Sequence, residues 1–287
     1  MKYKFIKEHK GMCRLAMMCA VLGVSRSAYY GWLRGSKCRR AGEDEGLLLE
    51  IRAAHQASRQ TYGSPRVHAE LKARGINCGH NRVARLMRLE GLRAKQKRRF
   101  KATTDSNHDL PVAANLLGRD FRPQAPNRTW AADISYIPTG EGWLYLAVVM
   151  DLYSRLVVGW AMSDRATRKL TMDALGMALG RRLPGPGLLH QSDRGSQYAS
   201  GDYQAMLQAN GITCSMSRKG EVYDNAPMES FFHTLKTELV HHRRYYSREQ
   251  ARADIFEYVE VFYNRQRRHS YLGYHSPAAF ETLAKAA

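Results

Sequence analysis

Apolar positions follow a helical spacing through the first part of the chain and a strand-like spacing from Thr129 onward. In "LAMMCAVLGVSRSAYYGWLRG" (residues 15–35) the pattern predicts an apolar helix to Gly23, a short turn at Val24-Ser25, and a second helix capped by Ser25 and running through Trp32. This is helix-turn-helix spacing, with Arg26, Ser27 and Tyr30 turned outward where they can meet phosphates and bases. An ordinary helical hairpin fits the same short pattern.

Three more helices are predicted in "EGLLLEIRAAHQAS", "SPRVHAELKARG" and "GHNRVARLMRLEGL". Ser64-Pro65 reads as an N-cap and first-turn pair, Gly75 as a stop, and Asn81 as the start of the third helix. Leu47, Leu48, Ile51, Val67, Leu71, Val83, Leu86 and Met87 form the expected core. Arg82, Arg85 and Arg88 recur three apart on one side of the third helix. With no glutamate interleaved, they read as a phosphate-facing surface.

A basic and then proline-containing stretch follows and reads as a linker that orders on DNA. Beyond it, "TWAADISYIPT", "GWLYLAVVMDLYS" and "RLVVGWAMS" are β-branched or aromatic runs separated by turns near Gly140-Glu141-Gly142 and Ser154. A helix, the short strand "GLLHQSD", another helix, the strand "ITCSMS" and two late helices complete the pattern. Three strands in a meander followed by alternating helices and strands predict an α/β fold with a mixed five-stranded sheet, the element order of the ribonuclease H-like fold. The chain therefore divides into 1–44, a helix-turn-helix-like segment; 45–92, a helical DNA-binding domain; 93–127, a linker; and 128–287, the ribonuclease H-like domain with C-terminal helices.

Charge sharpens the choice of partner. The chain has 287 residues and a formal net charge of +19. Residues 1–120 hold 25 Lys and Arg against 10 Asp and Glu, whereas residues 121–287 hold 20 against 16. A positive field concentrated in the first part suits a polyanion, and double-stranded DNA is the expected partner. A membrane surface is the rival, but the charge is spread over folded-looking segments rather than one basic amphipathic helix. The opening "MKYKFIKEHKGMCRLAMMCAVLGV" superficially resembles a signal peptide; Arg14 interrupts it, and no run reaches the roughly 18 to 20 apolar residues of a membrane span. A cytoplasmic, nucleoid-associated protein is expected. The five cysteines, Cys13, Cys19, Cys38, Cys78 and Cys214, show no CxxC spacing, so free thiols are expected in place of a disulfide framework or zinc ribbon.

Three acidic residues stand where surface decoration does not belong. Asp133 lies inside the first strand, Asp193 ends the fourth in "HQSDRGSQY", and Glu229 begins a late helix beside Met228, Phe231 and Phe232. Strand ends and helix starts converge at one edge of such a sheet, so the three can meet there. Taken singly, a salt-bridged core acid, a turn residue and a favourable helix-start charge explain them. Asp151 is a weaker candidate that a turn role explains.

Asp133, Asp193 and Glu229, with 35 residues between the last two, resemble the DDE triad of transposases and retroviral integrases. The surrounding "TWAADISYI", "HQSDRGSQYAS", "SRKGEVYDNAPMESFFHTLKTEL" and "YNRQRRHSYLGYHSP" resemble the second-reading-frame transposases of the IS-three family of bacterial insertion sequences. "MCAVLGVSRSAYYGW" and "YGSPRVHAEL" extend the resemblance over nearly the whole chain. It departs at "GEVYDN", where family members often carry a small polar or cysteine pair before the aromatic residue.

The resemblance implies metal-dependent cleavage at the element's ends followed by strand transfer. Asp133, Asp193 and Glu229 would hold the metal, with the carboxylates crowded within a few ångströms; hard oxygen ligands favour Mg2+, Mn2+ substituting, as a pair of ions under a two-metal scheme. Lys236, two turns beyond Glu229, is expected near the scissile phosphate. His233, one turn beyond, and Asn225 are possible supporting residues, although a surface histidine and a simple turn explain them equally well. Arg267 and Arg268 in "NRQRRHS" are candidate DNA-backbone contacts. Joining two ends implies a homodimer or higher oligomer on DNA. The family's active enzyme is commonly a frameshift fusion with an upstream-frame protein carrying a leucine zipper, and no long heptad run precedes the strands here. The alternatives are a DNA-binding regulator lacking independent catalysis and a nuclease acting on RNA.

Overall fold

The computed structural model describes residues 1–34, 39–95 and 110–286. Cys38 and the basic stretch 96–109 lie outside the described residues. The chain forms two compact units, Met1–Ala94 and Lys95–Ala287.

The first unit is helical throughout. α1 (Lys2–Glu8), α2 (Leu15–Val21) and α3 (Arg26–Leu33) surround a small core of Ile6, Met18, Cys19 and Tyr29. Gly23 takes φ +61 after α2, a conformation that side chains resist, and so opens the turn. Ser25 Oγ then accepts the Ala28 N–H at 3.1 Å and starts α3. α4 (Arg39–Ala57), α5 (Ser64–Ala73) and α6 (His80–Leu89) bury Leu47, Ile51, Val67, Leu71, Val83, Leu86 and Met87, while Leu48 is only half-buried.

Two boundaries differ from the sequence pattern by one residue: Gly63 caps α5, with Ser64 and Pro65 already in its first turn, and Gly79 caps α6, which starts at His80. α4 also runs through the 44/45 division. Its first two turns are polar, and hydrophobic periodicity cannot register a helix before Leu47 supplies a buried position.

In the second unit β1 (Thr129–Thr139), β2 (Gly142–Asp151) and β3 (Val157–Ser163) form an antiparallel meander. α7 (Arg168–Arg182) crosses over to β4 (Leu189–Ser192), which pairs with β1 in parallel. α8 (Ser196–Ala199) and α9 (Gly201–Ala209) lead to β5 (Thr213–Met216), and the sheet order is β3-β2-β1-β4-β5. One face buries Trp130, Ala132, Val149 and Val158 against Leu170, Ala174 and Leu175 of α7 and Tyr203 and Leu207 of α9. Ile137, Leu144, Leu146 and Val148 are buried as well. α10 (Ala226–Glu238) contacts β1, and α11 (Arg248–Glu257) contacts β1 and β2 before winding on through the π-helical turn Tyr258–Tyr263. α12 (Pro277–Ala286) ends the described chain.

Residues 110–127, expected as linker, belong to this unit. Leu117 is buried, and the N–H groups of Leu116 and Leu117 both donate to Ser215 Oγ, at 2.9 and 3.2 Å. The segment has no periodic pattern because it is fastened through its backbone and a few side chains rather than by an amphipathic face.

α7 sits directly on β3 at Gly159, where an added Cβ would lie 2.2 Å from the Ala174 carbonyl oxygen and 2.7 Å from the Ala178 nitrogen. Gly180, exposed in the last turn of α7, has open space around it. Gly159→Ala is expected to cost about 1–3 kcal/mol or more by overpacking. Gly180→Ala should instead add roughly 0.5–1 kcal/mol through helix propensity. Urea unfolding midpoints of the two variants check the pair.

Candidate active site

Backbone register brings the first two acids together. β1 and β4 run parallel with Thr129 opposite Leu189, Trp130 opposite His190 and Ala131 opposite Gln191. Carried on by two residues, this offset sets Asp133 level with Asp193, which follows directly on β4. Neighbouring strand backbones are about 4.8 Å apart.

The third acid arrives on α10, whose start is fastened to β1. Asn225, buried, donates from Nδ2 to the Ala132 carbonyl at 3.2 Å, next to Asp133, and Glu229 follows in the first turn of the helix. Asp224 anchors the preceding loop. Its buried carboxylate accepts from Arg218 N, Nε and NH2 at 2.9, 3.0 and 2.9 Å, from Arg119 Nε at 2.7 Å and from Asn115 Nδ2 at 2.8 Å. These cations and donors hold the Asp224 carboxyl far below the usual carboxylate range.

The electrostatics are those of converging like charges. Asp133 keeps some exposed surface but is enclosed by protein atoms. Burial first, then the negative charge of Asp193 and that of Glu229, push its carboxyl well above the ordinary value; the Ile134 N–H, 2.7 Å from Oδ1, and Lys236 act in the opposite direction. Glu229, mostly exposed, is also raised by partial burial. Asp193 Oδ1 accepts the Gly195 N–H at 2.9 Å. Among the described residues no three His, Cys, Asp or Glu side chains are gathered closely enough to form a ready-made metal cage. Asp133 nonetheless stands within the electrostatic reach of both Asp193 and Glu229.

Lys236 lies half-buried on α10 within the field of Asp133, and burial pulls its ammonium below the usual value while Asp133 opposes that. Its Nζ stands 4.9 Å from the centre of the Tyr136 ring. His233 is exposed, with Nε2 3.4 Å from Thr237 Oγ1 on its own helix. Asp151 is fully buried, accepts the Asn127 and Tyr153 N–H groups and pairs with Arg182, a structural role. Sequence reasoning missed Tyr198. Its hydroxyl is buried without a hydrogen-bond partner, in the field of Asp133 and Asp193, and "SDRGSQY" offers only the short spacing from Asp193 as a signal.

The proposed DNA contacts separate into two groups. Arg26, Ser27 and Tyr30 are exposed on α3, and Arg88 is exposed on α6. Arg82 and Arg85 are instead paired with Asp44 of α4, a partner distant in sequence that a local search for interleaved acids does not see. Arg267 is not a backbone contact. It is 4 % exposed and makes a two-pronged ion pair with Glu238 at 2.6 and 2.8 Å, while Tyr258 Oη donates to the same carboxylate. Arg268 is half-buried and donates to the Tyr274 carbonyl at 3.0 Å. Cys13, Cys19, Cys78 and Cys214 are free thiols, and no described helix is long and apolar enough to cross a membrane.

This sheet order, with acids at its β1–β4 edge, matches the class of domain described as an integrase core domain, whose models cover residues 123–221 and 229–283; an HTH-like domain model covers 42–100. The "Transposase InsF for insertion sequence IS3A" of Escherichia coli strain K12 is 47 % identical over 283 residues, covering 98 % of each chain. An "Insertion element IS600 uncharacterized 31 kDa protein" of Shigella sonnei is 54 % identical over 263 residues, 92 % of this chain and 97 % of that one. The HTLV-2 integrase catalytic core domain in complex with magnesium aligns at 15 % identity with a TM-score of 0.42, over 56 % of this chain and 99 % of that one. The chain belongs to the IS3-family transposases.

Two outcomes test the placements. Arg267→Ala strands the buried Glu238 charge and should cost about 3–5 kcal/mol in urea unfolding, whereas Arg265→Ala, at an exposed position, should stay within about 0.5 kcal/mol. His190, buried with Nε2 3.0 Å from Tyr203 Oη, is held neutral by burial, its pKa lowered to about 4. Since the unfolded value is about 6.5, the neutral ring contributes in full above that pH, and up to about 3 kcal/mol is lost as pH falls toward 4. Unfolding midpoints for wild type and His190→Gln between pH 7 and 4.5 should converge at the acid end.

Proposed function

We propose that the chain acts as a DDE-type polynucleotidyl transferase, with Asp133, Asp193 and Glu229 as its catalytic acids. The observation that carries this reading is the parallel register that sets Asp133 level with Asp193, with Asn225 fastening the helix of Glu229 beside them. Their donor chemistry fits a hard divalent cation: three carboxylates, one destabilised as an anion by burial and then by the other two, and a buried Tyr198 hydroxyl with no hydrogen-bond partner. Mg2+, or Mn2+ in its place and as two ions in the fullest form, would be held by these acids and supply Lewis-acid activation of the attacking oxygen and stabilisation of the leaving 3'-oxygen.

The chain's own groups define the rest. Ile134 N–H and Gly195 N–H each fix one carboxylate oxygen, orienting Asp133 and Asp193. Glu229, exposed at the helix start, is free to swing its side chain inward and complete the set on DNA. Lys236 meets a non-bridging phosphate oxygen. In the first reaction a water oxygen bonds to phosphorus as the bond to the 3'-oxygen breaks and that oxygen takes a proton. In the second, the freed 3'-hydroxyl attacks a phosphodiester of another strand in the same way.

Exposed residues of the helical unit, Arg26, Ser27, Tyr30 and Arg88, are the better-placed DNA contacts. Acting on two element ends, the chain works as a dimer or larger assembly, alone or fused to an upstream-frame protein, at the nucleoid. Nicking of a duplex carrying the element's terminal repeat tests the reading. Glu229→Gln should slow it by at least about a hundredfold, the scale of removing one electrostatic stabiliser, and chelation by EDTA should do the same, while mobility-shift affinity stays near wild type. A Glu229→Gln protein that nicks at the normal rate would remove the acid from the site.

A further inference from the structure

Beyond the carboxylates, α10 leads to a group of exposed aromatics that the reaction above leaves unused. The Lys236 ammonium, in the field of Asp133 on one side, stands over the Tyr136 ring on the other at 4.9 Å. Tyr136 in turn meets Trp143 edge to face, with ring centres 4.9 Å apart and an interplanar angle of 79°. Trp143 sits one residue past the turn between β1 and β2 and is 48 % exposed. About half of the indole is therefore open to solvent, the rest packed on the edge-to-face tyrosine.

The hairpin that carries Trp143 is held in place. Arg248 Nε donates to the Trp143 carbonyl at 3.1 Å, and the Gly140 N–H donates to the Tyr245 carbonyl at 2.9 Å. Tyr246, 69 % exposed, stands beside that contact with the Arg244 guanidinium 5.8 Å from its ring centre. The order along the surface is therefore catalytic acid, ammonium, aromatic pair, then a basic and aromatic rim. A nucleotide presents the same order: reacting phosphate, neighbouring phosphate, and a flat base one sugar away.

We infer that Trp143, braced by Tyr136, is a stacking site for a single nucleobase taken out of the duplex beside the scissile phosphate, with Lys236 on that nucleotide's phosphate. Taking one base out of the duplex frees the neighbouring backbone to align for in-line attack, and stacking on an exposed indole offsets that unpairing without reading the base's identity. Tyr136 acts as a positioning residue: its face locates the ammonium and its edge locates the indole. The inference rests on the carboxylate reading above, since that reading fixes where the scissile phosphate lies.

The test uses the full chain and terminal-repeat duplexes carrying one 2-aminopurine at each of the positions flanking the nick in turn. With Glu229→Gln protein, which binds without cutting, one position should shift its emission as its base exchanges the duplex stack for the indole, and Trp143→Ala should remove that shift. In the cutting protein Trp143→Ala should slow nicking about tenfold, the size expected for losing one base–aromatic stack. An abasic site at the responsive position should restore most of that rate, because no base then needs a seat. Tyr136→Phe, which keeps the ring face, should behave as wild type, and Tyr136→Leu like Trp143→Ala, with equal thermal melting midpoints for all the variants. No responsive position, or a Trp143→Ala rate equal to wild type, overturns the stacking site while leaving the acids untouched. A Trp143→Ala defect that the abasic duplex fails to relieve overturns it too.

Discussion

The buried carboxylate of Asp224 is the constraint on which the placement of α10 beside β1 depends, because it joins three stretches of chain that share no secondary structure. Arg119 and Asn115 reach it from the segment before the sheet, Arg218 from the loop after β5, and the next residue, Asn225, starts α10. The covered carboxylate keeps its charge because these donors and cations replace the water it has lost. The position of Glu229 is thus set by a carboxylate five residues earlier whose described partners all lie within the protein. The segment 110–127 forms part of the same arrangement and is as much a component of the domain as the strands are.

Two further buried charge sets do comparable work at the other side of the unit. Glu238, at the end of α10, is held by Arg267 and Tyr258, and Arg182 at the end of α7 joins Asp151 of β2 to Glu281 of α12. Each ties a helix end to an element distant in sequence, so the late helices are registered against the sheet by directional contacts as well as by apolar packing. Glu238 terminates the helix that Glu229 begins. Both ends of the element carrying the third acid are therefore pinned by ionic contacts with remote residues.

Much of this was legible in the sequence because the signals were local. Ser25 announces α3 by capping chemistry, the alternating runs from Thr129 announce the meander, and Asp133 is conspicuous as a carboxylate inside an apolar strand. What was not legible depended on partners far along the chain. Arg82 and Arg85 looked like a phosphate-facing row until Asp44, some forty residues earlier, took their charges. Arg267 sits in a run of basic residues whose composition suggests an exposed surface, yet only the fold brings Glu238 to it. Tyr198 offered only its short spacing from Asp193, since a tyrosine in a short helix is ordinary until its hydroxyl is found buried in the field of two acids.

β1 extends for eleven residues and β4 for four, so the parallel pairing stops at Ala131. Past that point the β4-side edge of β1 has no neighbouring strand among the described residues, and the first amide it releases, Ile134 N–H, turns back to its neighbour's side chain at Asp133 Oδ1. Two more residues of β4 would claim that amide for the sheet and cover the acid with backbone. The partial exposure of Asp133 is in this sense a property of where a strand ends: the parallel pairing stops two residues short of it, and the carboxylate lies beside the gap.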